Sequence, residues 1–135
     1  MLELAGYEVI ERLATNSATD IYLGESKTDR ISVIIRHIKK YRINEQFRQN
    51  QQLLLSLNIR GVEKVLSSAN FDGGLVVVSE CHGSEPILRR MSGEPLPIIT
   101  VLNIVSQIND IMGHIHSAGY VYKNINPLAI FVDKD

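Results

Sequence analysis

Apolar and charged residues alternate over 7–13, the two-residue period of a half-buried strand. Small polar residues at 14–20 predict a turn, and the strand pattern resumes at 21–24, so the two runs make a hairpin with a long tip. A second turn at 25–30 leads into 31–38, a β-branched run that predicts a third strand. Over 44–58 the pattern changes to that of a helix. Asn44 is suited to cap it, and Phe47, Leu53, Leu54, Leu55 and Leu57 supply its apolar face. Residues 62–66 and 75–78 predict fourth and fifth strands joined by the turn Phe71-Asp72-Gly73-Gly74. A short helix is expected at 87–91 and a loop rich in Gly and Pro at 92–97. A long helix follows over 98–117, with Ile98, Val101, Leu102, Val105, Ile108, Met112 and Ile115 in one stripe and Ile104 and Ile111 off it. So wide an apolar surface predicts burial on more than one side. The chain then reads as a glycine turn at Gly119, a polar loop closed by Pro127, and a short strand at Ile130 and Phe131.

Composition narrows the functional classes. At 135 residues and 44% hydrophobic, the chain can bury a core of its own. A net charge of −1 with no basic cluster argues against nucleic-acid binding. Cys81 is the sole cysteine, so no intrachain disulfide forms, and a cytoplasmic setting is expected. No base or motif accompanies this thiol, so an ordinary structural cysteine is expected rather than a reactive one. The N-terminus lacks the basic and apolar regions of a signal peptide. Asn103, Ser106, Gln107, Asn109 and Asp110 interrupt the longest apolar stretch, and on that ground no membrane span is expected. His114 and His116 are two apart on a helix and cannot face one metal, while His37 and His82 have no partners at ligand spacing. No Ser-His-Asp order or paired-carboxylate motif is present. No metal site is expected.

Residues 122–131, Tyr-Lys-Asn-Ile-Asn-Pro-Leu-Ala-Ile-Phe, resemble the catalytic loop of the protein kinase family, H-R-D-L-K-P-x-N-I-L. Pro127, the aliphatic strand and a basic residue at Lys123 keep the frame, and Lys39, Glu80, Gly119 and Ile130 also fall where kinases have similar residues. Five strands with one helix inserted after the third match the order of a kinase N-lobe. The resemblance implies an α+β fold with an N-lobe at 1–82 and a partial C-lobe at 83–135, made of the linker, the long helix and the degenerate loop. It covers nearly the whole chain but only about half of a kinase domain. The pattern is most similar to kinase-like domains at the N-termini of large bacterial sensor proteins, through Phe47–Gln51, Leu57–Val62 and His116–Tyr120.

Carried over position by position, the resemblance implies that the chemistry has been lost. The three phosphate-loop glycines become Ala14, Asn16 and Thr19, whose side chains obstruct a phosphate cradle. The lysine of the third strand becomes Arg36, which keeps the charge but not the compact ammonium. A plain surface arginine on a strand is the other reading of this residue. Ile34 replaces a small Ala beside the adenine slot, and Phe131 replaces the Leu that floors it, so a self-filled nucleotide slot is implied. The helix glutamate becomes Asn50, which leaves no carboxylate expected to pair with Arg36. In the catalytic loop, Asn124 stands at the catalytic Asp and cannot take a proton as a carboxylate would. Asn126 stands at the loop lysine and Ala129 at the metal-binding Asn.

The implied function is a catalytically inactive pseudokinase that binds protein partners or further domains in signal transduction, with no cofactor. The alternative is a nucleotide-binding or weakly active Ser/Thr kinase fragment that uses Arg36 and unorthodox ligands. A third reading is that the chain is only a fragment, its remaining lobe encoded further on. A kinase C-lobe normally covers the long helix, so a homodimer or tight hetero-contact through Ile98–Ser117 is expected.

Overall fold

The computed structural model describes residues 4–15, 17–39, 45, 48–49, 61–81, 84–87, 93–119 and 130–133. They fall in two compact units, 1–57 with 63–83, and 58–62 with 84–135.

The first unit contains β1 (Tyr7–Thr15), β2 (Thr19–Ser26), β3 (Ser32–Ile38), β4 (Val65–Phe71) and β5 (Gly74–Glu80). They form one antiparallel sheet in the order β1-β2-β3-β5-β4. The expected five-stranded sheet is therefore present, with β2, β3 and β5 inside it and β1 and β4 at its edges. Of the three inner strands, β3 and β5 carry the apolar runs. Val33, Ile34 and Ile35 on β3 and Leu75 to Val78 on β5 are buried, because strands flank them on both sides and side chains cover both faces. On one face Val33, Ile35, Val76 and Val78 pack with Leu4, Tyr7, Val9, Tyr22 and Phe71. On the other, Ile38, Leu75 and Val77 pack with Val65. Glu45, Arg48 and Gln49 of the expected 44–58 helix are helical; its remaining residues lie outside the described set.

Turn chemistry fixes the strand ends. Asp72 and Gly73 both have positive φ, 49° and 74°, as a two-residue hairpin with the sheet's right-handed twist requires. Phe71 pairs with Gly74 across this turn. Between β2 and β3, an Asp29 carboxylate oxygen accepts the Ile31 N–H at 3.2 Å, and Arg30 takes a left-handed φ of 61°. The Arg30 guanidinium reaches Glu25 at 3.2 Å and Glu8 at 3.5 Å.

Two expected strand boundaries are corrected. The first hairpin is longer than the sequence pattern predicts, because Thr15 pairs with Asp20 and only residues 16–19 are left between them at the tip. The fourth strand runs over Val65–Phe71, not 62–66. Its middle, Leu66 to Asn70, is exposed on a sheet edge, so no alternation of apolar residues marks it.

The second unit holds α1 (Ile98–Ser117) and a two-stranded ladder of β6 (Ser84–Pro86) with β7 (Phe131–Asp133). The Ile87 N–H donates to the Ile130 carbonyl at 2.9 Å, which extends the ladder by one bond. The short strand after the polar loop thus pairs back onto the segment that follows β5. The expected helix at 87–91 has only Ile87 described, and it is helical.

The bounds of α1 are those the sequence predicts. Pro97 precedes it with extended backbone (ψ 144°) and accepts the Val101 N–H at 3.1 Å. Gly119 closes it at φ 89°, donating to the His116 carbonyl at 3.0 Å. The facing of the helix differs from expectation. Ile115 is its buried residue, and Ile104, Ile108, Ile111 and Met112 are half-buried, so the two isoleucines placed off the stripe belong to the covered side. Ile98, Ile99, Val101, Leu102 and Val105 stay exposed, from 40% to 78%. Gly61 shows what covers Ile111. A Cβ there would lie 2.6 Å from Ile111 Cδ1, and its φ of +92° also favours glycine.

By length and composition α1 could cross a membrane, with 20 residues and a mean hydropathy of 1.2. The polar interruptions that argue against a span in the sequence do not exclude one on this measure.

Candidate functional site

Among the described residues, the positions at which the kinase resemblance places chemistry lie mainly on the sheet, at Ala14, Thr19, Ile34 and Arg36. Arg36 sits on β3, paired in register with Ile21 of β2 and Val77 of β5. Its guanidinium donates to the carboxylate of Glu63. The two side chains are only 18% and 26% exposed, so water screens the pair less than it would a surface ion pair. This overturns two expectations. Arg36 is not a plain surface arginine, and it does have a carboxylate partner. The partner comes from the segment before β4 and not from the helix position held by Asn50.

The residue that follows Glu63 is tied to β5. Gly61 turns the chain two residues before Glu63. The neighbouring Lys64 carbonyl accepts the Glu80 N–H at 3.0 Å, and Lys64 Nζ lies 3.9 Å from the Glu80 carboxylate. The Cys81 N–H, one residue further, donates to the Ser32 carbonyl at 3.3 Å. No local periodicity marks Glu63 in the sequence, since a single acid in a connecting segment looks like surface charge. The signal that could find it is indirect: a strand arginine with no helix glutamate implies a counter-ion somewhere else.

The tip of the first hairpin is fastened at both sides. The Thr15 hydroxyl donates to the Asp20 carboxylate. Lys39 Nζ lies 3.9 Å from the same carboxylate, and the Lys39 N–H donates to the Ala18 carbonyl at 2.9 Å. Ala14 is half-buried on β1 opposite Ile21, and Thr19 opens β2 opposite Ile38. These two positions are therefore strand residues and not part of an open polar tip; Asn16 lies outside the described residues. Next to Asp20, burial raises the Tyr22 phenol above its ordinary pKa, Asp20 raises it further, and Arg12 opposes both.

Ile34 is 1% exposed and pairs in register with Leu23 and with Ser79. The Ser79 side chain is fully buried, and its hydroxyl has no hydrogen-bond partner among the described residues. Such an orphan costs its desolvation free energy, so Ser79→Ala is expected to raise stability by about 1 kcal/mol. Urea unfolding checks this. An equal loss of stability would mean that the hydroxyl has a partner.

Phe131 opens β7, half-buried and paired with Pro86. It belongs to the second unit, whereas Ile34 belongs to the first. Asn124, Asn126 and Ala129 lie outside the described residues. Among the described residues, then, the arrangement consists of a strand cation neutralised by Glu63, a fastened hairpin tip and a bulky Ile34.

Comparison with solved structures gives the fold. The chain is similar to the Mycobacterium tuberculosis PknI kinase domain in one crystal structure with a TM-score of 0.72 at 19% identity, covering 98% of this chain and 57% of that one. A second structure of that domain gives a TM-score of 0.73 at 19% identity, covering 97% and 55%. A double mutant of it gives 0.75 at 18% identity, covering 99% and 56%. At 98% coverage the match takes in α1. No protein-family model and no curated protein matches the sequence. The chain thus spans a little over half the length of the kinase domains it matches, and its fold is protein kinase-like, a complete N-lobe sheet followed by a partial C-lobe.

Proposed function

We propose that this domain is a catalytically inactive, kinase-like module of a bacterial cytoplasmic signalling protein. In this reading it binds protein partners or neighbouring domains and uses no nucleotide or metal cofactor. The observation that supports the reading is the set of residues at the positions that would complete phosphoryl transfer, Asn124, Asn126 and Ala129. An amide in place of the carboxylate cannot accept the substrate's proton, and alanine offers no oxygen to Mg²⁺. Partner binding is supported by the uncharged, exposed face of α1 at Ile98, Ile99, Leu102 and Val105, a surface suited to a second copy of this chain.

Incubation with labelled ATP, Mg²⁺ or Mn²⁺ and a general protein substrate tests the central point. No phosphate transfer above that of an Asn124→Ala variant is expected. Transfer that the variant abolishes would establish the alternative, a weakly active Ser/Thr kinase. Sedimentation of the same sample tests the α1 contact, and a clean monomer at high micromolar concentration would remove it.

A further inference from the structure

We propose that β4 is a self-association edge: two copies of this chain join their sheets by pairing β4 with β4, antiparallel, about a twofold axis at Ala69. This surface is additional to the α1 face and does not depend on the non-catalytic reading.

The two edges of the sheet are built differently. β1 carries Glu8, Glu11 and Arg12, and register shifts at Val9/Glu11 and Arg12/Ala14 interrupt its ladder with β2. Charge and irregularity of this kind keep another strand from adding to an edge. Over 67–71, Ser-Ser-Ala-Asn-Phe, β4 has no charge and no proline, and its register with β5 is unbroken. Its one shift lies earlier, between Val65 and Ser67. Leu66 to Asn70 are all exposed. Successive side chains of a strand point to opposite faces, so both faces of β4 are open here.

The register says which backbone groups point outward. Phe71 and Gly74 close the two-residue turn as a hydrogen-bonded pair. Bonded and non-bonded pairs alternate along an antiparallel ladder, so Ala69 with Val76 is the next bonded pair. Ser68 and Asn70, opposite Val77 and Leu75, therefore turn their N–H and C=O groups away from β5, toward the open edge.

A second copy satisfies these groups. With the Ala69 residues of the two copies opposite one another, Ser68 of each exchanges both backbone hydrogen bonds with the partner's Asn70. Ala69 then meets itself at a non-hydrogen-bonded position, where the side chains of paired strands come closest. Its single methyl group suits that position. In a twofold contact the same patch faces itself, so a charged strand would set like charges side by side. The neutrality of β4 is what self-pairing requires, and it offers a charged peptide no counter-charge. The contact is short, so its strength comes from backbone bonds more than from buried area. Dimerisation at high micromolar concentration is expected.

The experiment is hydrogen exchange of the full chain, read by NMR at single amides over a concentration series, beside sedimentation. The Ser68 and Asn70 amides are expected to slow as the dimer fraction rises. Ala69→Lys, which sets like charges together at the axis, is expected to weaken dimerisation roughly tenfold or more. Ser68→Pro removes an outward donor without removing a bond to β5, and the same loss is expected. Circular dichroism shows whether each variant keeps the sheet. If one does not fold, the other is read, and the exchange of the wild type stands by itself. Leu102→Lys on α1 is expected to leave the protection of Ser68 and Asn70 unchanged.

Ser68 and Asn70 amides that exchange at one rate at every concentration overturn the inference. A fast rate would mean that no copy adds to the edge, and a slow one that another part of the chain covers it. Dimerisation that survives both Ala69→Lys and Ser68→Pro overturns it too, as does protection lost in Leu102→Lys. None of these results bears on phosphate transfer, which has its own assay.

Discussion

Gly74→Ala is expected to lower the stability of the domain by about 3 kcal/mol, the upper end of what overpacking costs. A Cβ built on Gly74 lies 2.3 Å from the Ile38 carbonyl oxygen and 3.3 Å from the His37 ring. The near atom is backbone on the adjacent strand, so no side-chain rotation relieves the collision. The Ile38 end of β3 would have to draw away from Leu75, its partner in the ladder. The apolar contact of Ile38 with Leu75 and Val77 would open with it. Urea unfolding followed by circular dichroism measures the loss. A change below about 1 kcal/mol, the low end of the same range, would show that this corner of the sheet is more yielding than its packing implies.

Ile34→Ala is expected to cost a similar amount, about 3 kcal/mol, by a different mechanism. Here side-chain volume is removed. Ile34 is 1% exposed on an inner strand, flanked in register by Leu23 and Ser79, and the space it leaves cannot collapse without moving the ladders on both sides. Ile34→Val is the gauge, at about 1 kcal/mol, since it deletes only one methyl group. Equal stabilities for wild type and Ile34→Ala would mean that the residue fills a space the fold does not need. The kinase resemblance has a small residue at this position. The two stabilities together therefore measure how far the sheet has come to depend on a larger one.

The sequence made some elements plain and hid others for physical reasons. The long helix was legible to the residue because Pro97 and Gly119 mark its two ends, each through a backbone restriction that needs no tertiary information. The inner strands were legible because burial on both faces demands apolar residues at consecutive positions, as at Leu75 to Val78. The edge strand β4 was misplaced because Ser67, Ser68 and Asn70 face water and pair only through their backbone. In α1 the apolar residues were visible, but which of them are covered was not. Ten aliphatic or Met side chains spread around a helix leave the choice to its neighbours, and Gly61 against Ile111 made part of it.

At the candidate site the identities of Ile34 and Arg36 were legible, and so were their strand positions. The counter-ion of Arg36 was not. Ion pairing between side chains far apart in sequence depends on which backbone segments meet, and the Arg36–Glu63 pair spans 27 positions. A helix glutamate can be sought at its expected offset, but a loop glutamate has none.

The order β1-β2-β3-β5-β4 has a further consequence for the chain's economy of connection. Three of the four ladders join strands that follow one another through short turns, and only β3 to β5 joins distant ones, bringing 33–38 against 75–80. The sheet is in effect two local weaves closed by a single long-range seam. Closing a loop costs entropy that grows only with the logarithm of its length, about 0.6 kcal/mol for each doubling. The seam is therefore nearly indifferent to how many residues lie between its two halves. Length can be added or removed there while the registers on either side stay as they are.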